Sequence, residues 1–172
     1  ISMDLKEIDN LVLIIGKTEG HIDQSLFART ILDEKNGPPP EVNLFNEKNN
    51  GESILNLIDK GYVKSAHDIS LGGLLVAISK MCIKGNKGIK INKSKNLINE
   101  IEYFFAEDQG RYLIEVNKEN LKEVTKILNK NSVHHEELGI ITQNDMIINE
   151  KTKVTIDELK SYYTNWLTKY MS

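Results

Sequence analysis

One cysteine, three prolines and one tryptophan stand in a chain of 172 residues, and each scarcity closes off a class of protein. The lone Cys82 can build neither an internal disulfide framework nor a multi-thiolate zinc site. All the prolines sit together at Pro38-Pro39-Pro40, so the rest of the chain is free of the residue that breaks helix interiors and sheet ladders. A basic excess is also missing. The chain has 22 Lys+Arg against 25 Asp+Glu, a net charge of −3 and a pI near 5.9. Nothing is left over to neutralise a run of phosphates, so nucleic acid is not expected as a partner. The longest apolar runs, Leu11–Ile15 and Leu71–Ile78, fall far short of the roughly 20 residues that cross a bilayer. No membrane partner is expected. The start, ISMDLKEIDN, is acidic and polar where a secretory leader would be apolar, and the expected localisation is cytoplasmic. Ile1 in place of Met points to a fragment or a processed product.

What is present is 40% hydrophobic and 27% charged sequence, enough for one sizeable core. There is no internal repeat and no linker, so residues 1–172 read as a single domain. A richness in Lys, Asn and Ile is compositional and reads as loops at Asn46–Gly51 and Ile83–Ser94.

Asn10–Ile15 is a continuous apolar run ended by Gly16, the pattern of a strand buried on both faces. Ser25–Lys35 reads as a helix offering Leu26, Ile31 and Leu32 to a core, stopped by the prolines. A second helix runs to about Lys60, with Ile54, Leu55 and Ile58 at helical spacing and Gly61 as the stop. Tyr62–His67 reads as a strand. Leu74–Ile83 is apolar on nearly every side, so its helix belongs in the core. Ile89 and Ile91 alternate with Lys90 and Asn92 as in a strand, and Tyr112–Val116 is another. Asn120–Asn129 is an amphipathic helix. Val133–Ile141 and Asp145–Asn149 read as a pair of strands joined by Thr142-Gln143-Asn144. Thr155 and Glu158 form a capping box that opens a helix with Leu159, Tyr163, Trp166, Leu167 and Tyr170 on one stripe. Strands alternating with helices imply a mixed α/β layer fold, α+β in class.

Several chemistries can be set aside. Gly16-Lys17-Thr18 lacks the glycine that a phosphate-binding P-loop needs five positions earlier, where Leu11 stands. Cys82 reads as a small buried hydrophobe. His134 and His135 are adjacent on a strand and face opposite ways, and His21 lies in a polar turn. No metal site built by this chain alone is expected.

Two segments carry more. In Ser65-Ala66-His67-Asp68-Ile69-Ser70-Leu71-Gly72-Gly73-Leu74 a strand ends, two glycines follow a serine and a buried helix begins. Amides at a helix N-terminus bind phosphate-like anions. Equally, the glycines can serve close helix packing, with Asp68 or Ser70 an ordinary N-cap. Phe104–Tyr112 places Glu107, Asp108, Gln109 and Arg111 just before a strand. They can line a polar cleft, although an internal Arg–carboxylate pair in a solvated turn is the simpler reading.

Together, AHDIS-GGLLVAISKM and FFAEDQGRYLIEV resemble the C-terminal module of the aminoimidazole ribonucleotide synthetase-like superfamily. Within it they are most similar to the last domain of the phosphoribosylformylglycinamidine synthase family. Pro39–Val42, Gly139-Ile140-Ile141 and the capped terminal helix extend the resemblance along nearly the whole chain. The sequence departs from the family at Leu71, where an Asp is usual, and at Gln24, where a Gly is common. The resemblance implies a three-layer arrangement with partial ferredoxin-like topology. It implies a ligase that amidates formylglycinamide ribonucleotide with glutamine-derived ammonia, using ATP and Mg2+, in purine biosynthesis. The nucleotide and metal would be held by N-terminal domains of the same polypeptide and are not expected to bind this part tightly. In the long form of that enzyme a glutaminase domain follows this module, so with Ser172 as the natural end ammonia would come from a separate glutaminase subunit. Ser70, Gly72 and Gly73 are implied as a phosphate-facing loop. His67, Asp68, Glu107, Gln109 and Arg111 are implied as supporting or interface residues, and no catalytic residue is assigned. Two other readings stay open: a docking module that has kept the fold without the chemistry, and a sibling such as aminoimidazole ribonucleotide synthetase.

Overall fold

A computed structural model describes residues 1–92 and 98–171, without the side chains of 167–169. The end of the Ile83–Ser94 segment and the place of Leu167 on its stripe lie outside the described residues.

The elements run β1 (Leu11–Ile15), α1 (Leu26–Thr30), α2 (Leu44–Asp59), β2 (Val63–Asp68), α3 (Gly73–Gly85), β3 (Gly88–Ile91), α4 (Glu100–Phe105), β4 (Tyr112–Val116), a 3-10 turn (Lys118–Asn120), α5 (Leu121–Lys130), β5 (His135–Thr142), β6 (Asp145–Ile148), β7 (Thr152–Thr155) and α6 (Ile156–Met171). Among the described residues the strands form one sheet in the order β2-β4-β1-β5-β3-β6-β7.

All five residues of β1 are buried, because both faces of the sheet are covered. Leu11, Leu13 and Ile15 pack with Ile54 and Leu57 of α2 and Val124 and Leu128 of α5. Val12 and Ile14 face the other way, toward Leu74, Ile78 and Met81 of α3, Phe104 of α4 and Ile156 of α6. The result is three layers, as the resemblance implied. Reading β5-β1-β4-β2, with antiparallel pairs throughout and α2 and α5 as crossovers on one face, gives a ferredoxin-like half. The hairpin that would join β2 to β4 is replaced by α3, β3 and α4. β3 leaves this half and pairs beyond β5.

That insertion overturns the strand pair expected from Val133–Asn149. β5 and β6 are not neighbours, because β3 lies between them, antiparallel to β5 and parallel to β6. Gln143-Asn144 carries the chain across the start of β3, and Thr142 Oγ1 donates to Asp145 O at 2.9 Å. The crossing leaves no room for a side chain at Gly88, whose Cβ would overlap the Asp145 backbone.

Other differences have local causes. The first helix ends at Thr30, and the polar run Asp33–Asn36 offers no apolar face to continue it. Ile31 and Leu32 are therefore exposed, and Ala28 is the residue that α1 buries. Asn46–Gly51 is helical, not a loop. Asn43 caps α2 by accepting from Asn46 N at 3.1 Å, and Ile54 and Leu57 hold the helix on the sheet, while Leu55 faces out. α4 and β7 were not foreseen, although α4 carries its own capping box at Asn99 and Glu102. The box at Thr155 and Glu158 forms as expected, with Glu158 N donating to Thr155 Oγ1 at 3.2 Å and Thr155 N to Glu158 Oε2 at 2.9 Å. Cys82 is fully buried, and burial pushes its thiol up to about 12.

One buried carboxylate fastens the N-terminal segment. Glu115 on β4 is fully buried. It accepts from Lys6 N at 2.8 Å, Glu7 N at 3.0 Å, Asn10 Nδ2 at 2.7 Å and Ser65 Oγ at 2.9 Å. Glu115→Ala strands four donors. The expected cost is about 3 kcal/mol or more, read as a lower urea midpoint. A loss below about 1 kcal/mol would show that water replaces the carboxylate freely.

Candidate functional site

Three loops gather at one end of the sheet: Gly16–Ser25 after β1, Ile69–Gly72 after β2 and Ala106–Arg111 before β4. Register sets this meeting place, since Ile15 and Asp68 both pair with Tyr112. The loop before β4 ties the other two together through side chains.

Glu107 Oε1 accepts from Leu26 N at 2.7 Å and from Gly72 N at 2.8 Å, joining the start of α1 to the start of α3. Asp108 is 6% exposed and gathers the backbone of the first loop. Its Oδ2 accepts from Glu19 N at 3.0 Å and Gly20 N at 3.1 Å, and its Oδ1 from His21 N at 3.0 Å. Arg111 is 1% exposed. Its Nε donates to Asp108 O at 3.3 Å, Nη1 to Thr18 Oγ1 at 3.1 Å and Nη2 to Ala106 O at 2.5 Å. The Asp108 carboxylate lies 3.8 Å from Nη2. Burial pulls the guanidinium below the ordinary arginine value, and Asp108 opposes that pull. The internal Arg–carboxylate pair read from the sequence is present, in a buried setting where a solvated turn was expected.

The α3 loop is built as tightly. Gly72 (φ +89°) is the N-cap and no side chain caps the helix, so neither Asp68 nor Ser70 has that role. A Cβ on Gly72 would come within 2.5 Å of Val76, and one on Gly73 (φ +70°) within 2.7 Å of Ala106 O. Close packing therefore requires both glycines. Both amides are also engaged, Gly72 N by Glu107 and Gly73 N by Ser70 O at 2.9 Å. Ser70 stands exposed at the surface. Leu71, at the position where the family carries Asp, is 53% exposed, so that departure does not disturb the core.

Gln109 is exposed and borders a polar pocket lined also by Lys17, Glu41, Glu47, Asn50 and Asp108. Lys17 Nζ is held by Glu19 at 2.8 Å, so carboxylates dominate this wall and it does not attract an anion. Asp68 is exposed, and its Oδ1 lies 3.2 Å from His67 Nδ1. His67 points away from the loops into the α3 face, where burial, with Lys80 adding to it, lowers the imidazole value against the opposing Asp68. The geometry thus joins Gly72, Glu107 and Arg111 through one network and leaves His67 outside it. Glu115 was not singled out beforehand, and Asp108, named in the polar cluster before β4, was not foreseen as the residue that gathers the first loop. The available signal for Glu115 was a carboxylate inside the apolar run Tyr112–Val116.

A three-layer α/β domain with a ferredoxin-like half and a glycine-opened central helix defines a class, and comparison with known proteins narrows it. The model of the family described as AIR synthase related protein, C-terminal domain, matches residues 7–149, and the chain belongs to that family. It is 65% identical over 171 residues to the phosphoribosylformylglycinamidine synthase subunit PurL of Pelagibacter ubique, covering 99% of this chain and 23% of that protein. It is 36% identical over 160 residues to the corresponding subunit of Bartonella henselae, covering 93% and 22%. The chain therefore spans less than a quarter of the length of these relatives. Among solved structures it shares its fold with T. maritima PurL complexed with FGAR, at TM-score 0.75 and 19% identity over 92% of this chain and 29% of that one. The thiamine-monophosphate kinase of Stenotrophomonas maltophilia has the same fold at TM-score 0.58 and 11% identity, over 87% and 52%.

The lowered His67 value has a consequence for pH. The unfolded chain takes up a proton near the ordinary imidazole value of about 6.5, whereas the folded chain does so only at lower pH. This contribution to stability is complete above that value and is lost as pH falls below it. His67→Asn is expected to flatten the slope of urea midpoint against pH between pH 7 and 5. An unchanged slope would mean that other groups set it.

Proposed function

We propose that this domain is part of a phosphoribosylformylglycinamidine synthase, which amidates formylglycinamide ribonucleotide in an ATP-dependent ligation, and that its end-of-sheet loops form one wall of the ribonucleotide cleft. The observation that carries this reading is the 65% identity to a PurL subunit along 99% of the chain. It favours PurL over sibling enzymes of the same fold, whose likeness is one of fold alone. On this reading ATP and Mg2+ are held by other domains of a longer polypeptide, and a separate glutaminase supplies ammonia. The described residues include no group of three or more His, Cys, Asp or Glu placed to hold a metal ion, so no step is assigned to a metal here.

What this chain's own residues would do is bind and orient. The Ser70 hydroxyl is the first donor that a ribonucleotide phosphate meets. Gly72 N is the second, and it becomes available only when Glu107 yields it. Glu107 would thus act as a resident anion that keeps the loop shaped while the site is empty, and a phosphate would take over its bond. Arg111 and Asp108 would keep the loop frame from spreading as that exchange occurs.

The test uses the intact polypeptide with formylglycinamide ribonucleotide, ATP, Mg2+ and ammonium, read as ADP release. Ser70→Ala is an exposed change that leaves the core untouched. It is expected to raise KM for the ribonucleotide about tenfold, the worth of one hydrogen bond to a charged group, with KM for ammonium unchanged. Equal KM values for wild type and variant would remove Ser70 from the site. An intact, folded polypeptide that releases no ADP would overturn the reading in favour of a docking module.

A further inference from the structure

The loops use one end of the sheet, while a different face of the molecule is left unfinished. α3 turns Leu74, Ala77, Ile78, Met81 and Cys82 into the core. On its other side Val76, Lys80 and Ile83, spaced i, i+4 and i+7, share one stripe and meet α6. Leu75, Phe105 and Leu159 complete an apolar groove there, with Tyr162, Tyr163 and Trp166 of α6 along its edge. That wall is open to solvent: Tyr162 is 80% exposed, Tyr163 51% and Trp166 60%. Exposed apolar residues scattered singly need no explanation, but a contiguous aromatic wall along a groove marks an interaction surface.

The groove continues past Tyr163 and Ile83 into a recess lined by Met3, His67, Lys80 and Lys84. Neither lysine takes part in the ion pairs formed among the described residues. His67 Nε2 is buried beside them without a hydrogen-bond partner. In a chain of net charge −3, two unpaired ammonium groups next to an apolar groove are a local excess of positive charge.

Charge chooses among occupants. A second copy packed about a two-fold axis would bring this patch against itself, setting lysines and aromatics against lysines and aromatics. Among the described residues no Asp or Glu lines the groove or the recess, and the Asp68 carboxylate is taken up by His67. A segment bearing apolar residues flanked by Asp or Glu complements both halves of the surface. The relatives are more than four times the length that this chain covers, so a longer polypeptide has ample sequence to supply one. We propose that the α3–α6 groove and its Lys80–Lys84 recess dock a carboxylate-bearing amphipathic segment from another part of that polypeptide.

The test compares backbone hydrogen exchange in the 172-residue chain and in the intact polypeptide, and it reads docking whether or not the enzyme turns over. The expected result is that amides of residues 75–84 and 156–166 exchange about tenfold or more slowly in the intact polypeptide. Lys80→Glu with Lys84→Glu is expected to return them to the rates of the short chain, whereas Lys80→Arg with Lys84→Arg keeps the protection. Trp166, the single tryptophan, is expected to be quenched by acrylamide as an open indole in the short chain at every protein concentration. Equal exchange rates in the two forms would overturn the proposal. So would full protection in the double Glu variant, or a concentration-dependent dimer of the short chain that shields Trp166.

Discussion

The buried guanidinium of Arg111 is the constraint on which the functional end of the molecule depends. A charged group removed from water is tolerated only when its donors are met, and Arg111 meets Thr18, Ala106 and Asp108 at once. Satisfying it fixes the path of the chain just before β4. That path places Glu107 between the starts of α1 and α3, and Asp108 under the Glu19–His21 backbone. Three loops far apart in sequence therefore behave as one frame, held by the six residues Ala106–Arg111.

The apolar core supplies the ground on which this frame stands. β1 packs helices on both of its faces, so its ends cannot shift without disturbing both clusters. The ferredoxin-like half positions β1, β2 and β4 with their loop ends together. The inserted α3, β3 and α4 then supply the glycine-opened helix that faces those loops. The insertion also widens the sheet through β3, β6 and β7, and gives α6 a place to pack beside α3.

Elements with a strong local signal were legible in the sequence. The continuous apolar run of β1, the all-round apolar α3, the amphipathic α5 and the Thr155–Glu158 capping box all form where periodicity and cap chemistry put them. Non-local facts were not legible. Val133–Asn149 has the pattern of a hairpin, and only the arrival of β3 from far earlier in the chain separates its two strands. Ile31 and Leu32 look like core residues and face solvent, because a polar run ends their helix before it reaches the sheet. In the candidate site, Gly72, Glu107 and Arg111 could be picked out by residue type. That Glu107 already occupies the Gly72 amide depends on α1, α3 and β4 meeting, which no local window contains. Asp108 was legible as a member of a polar cluster but its role was not, for the same reason: its three donors lie almost ninety positions earlier.

The measurement that tests the single-frame claim most directly is hydrogen exchange of the 172-residue chain carrying Asp108→Asn. That change touches the first loop and the Arg111 pairing, while the bond to the α3 loop is made by Glu107. If the loops form one frame, protection falls at Glu19–His21 and also at Gly72 and Gly73, which Asp108 does not contact. Loss confined to Glu19–His21, with the α3 loop as protected as before, would show the loops to be independent and would contradict the claim.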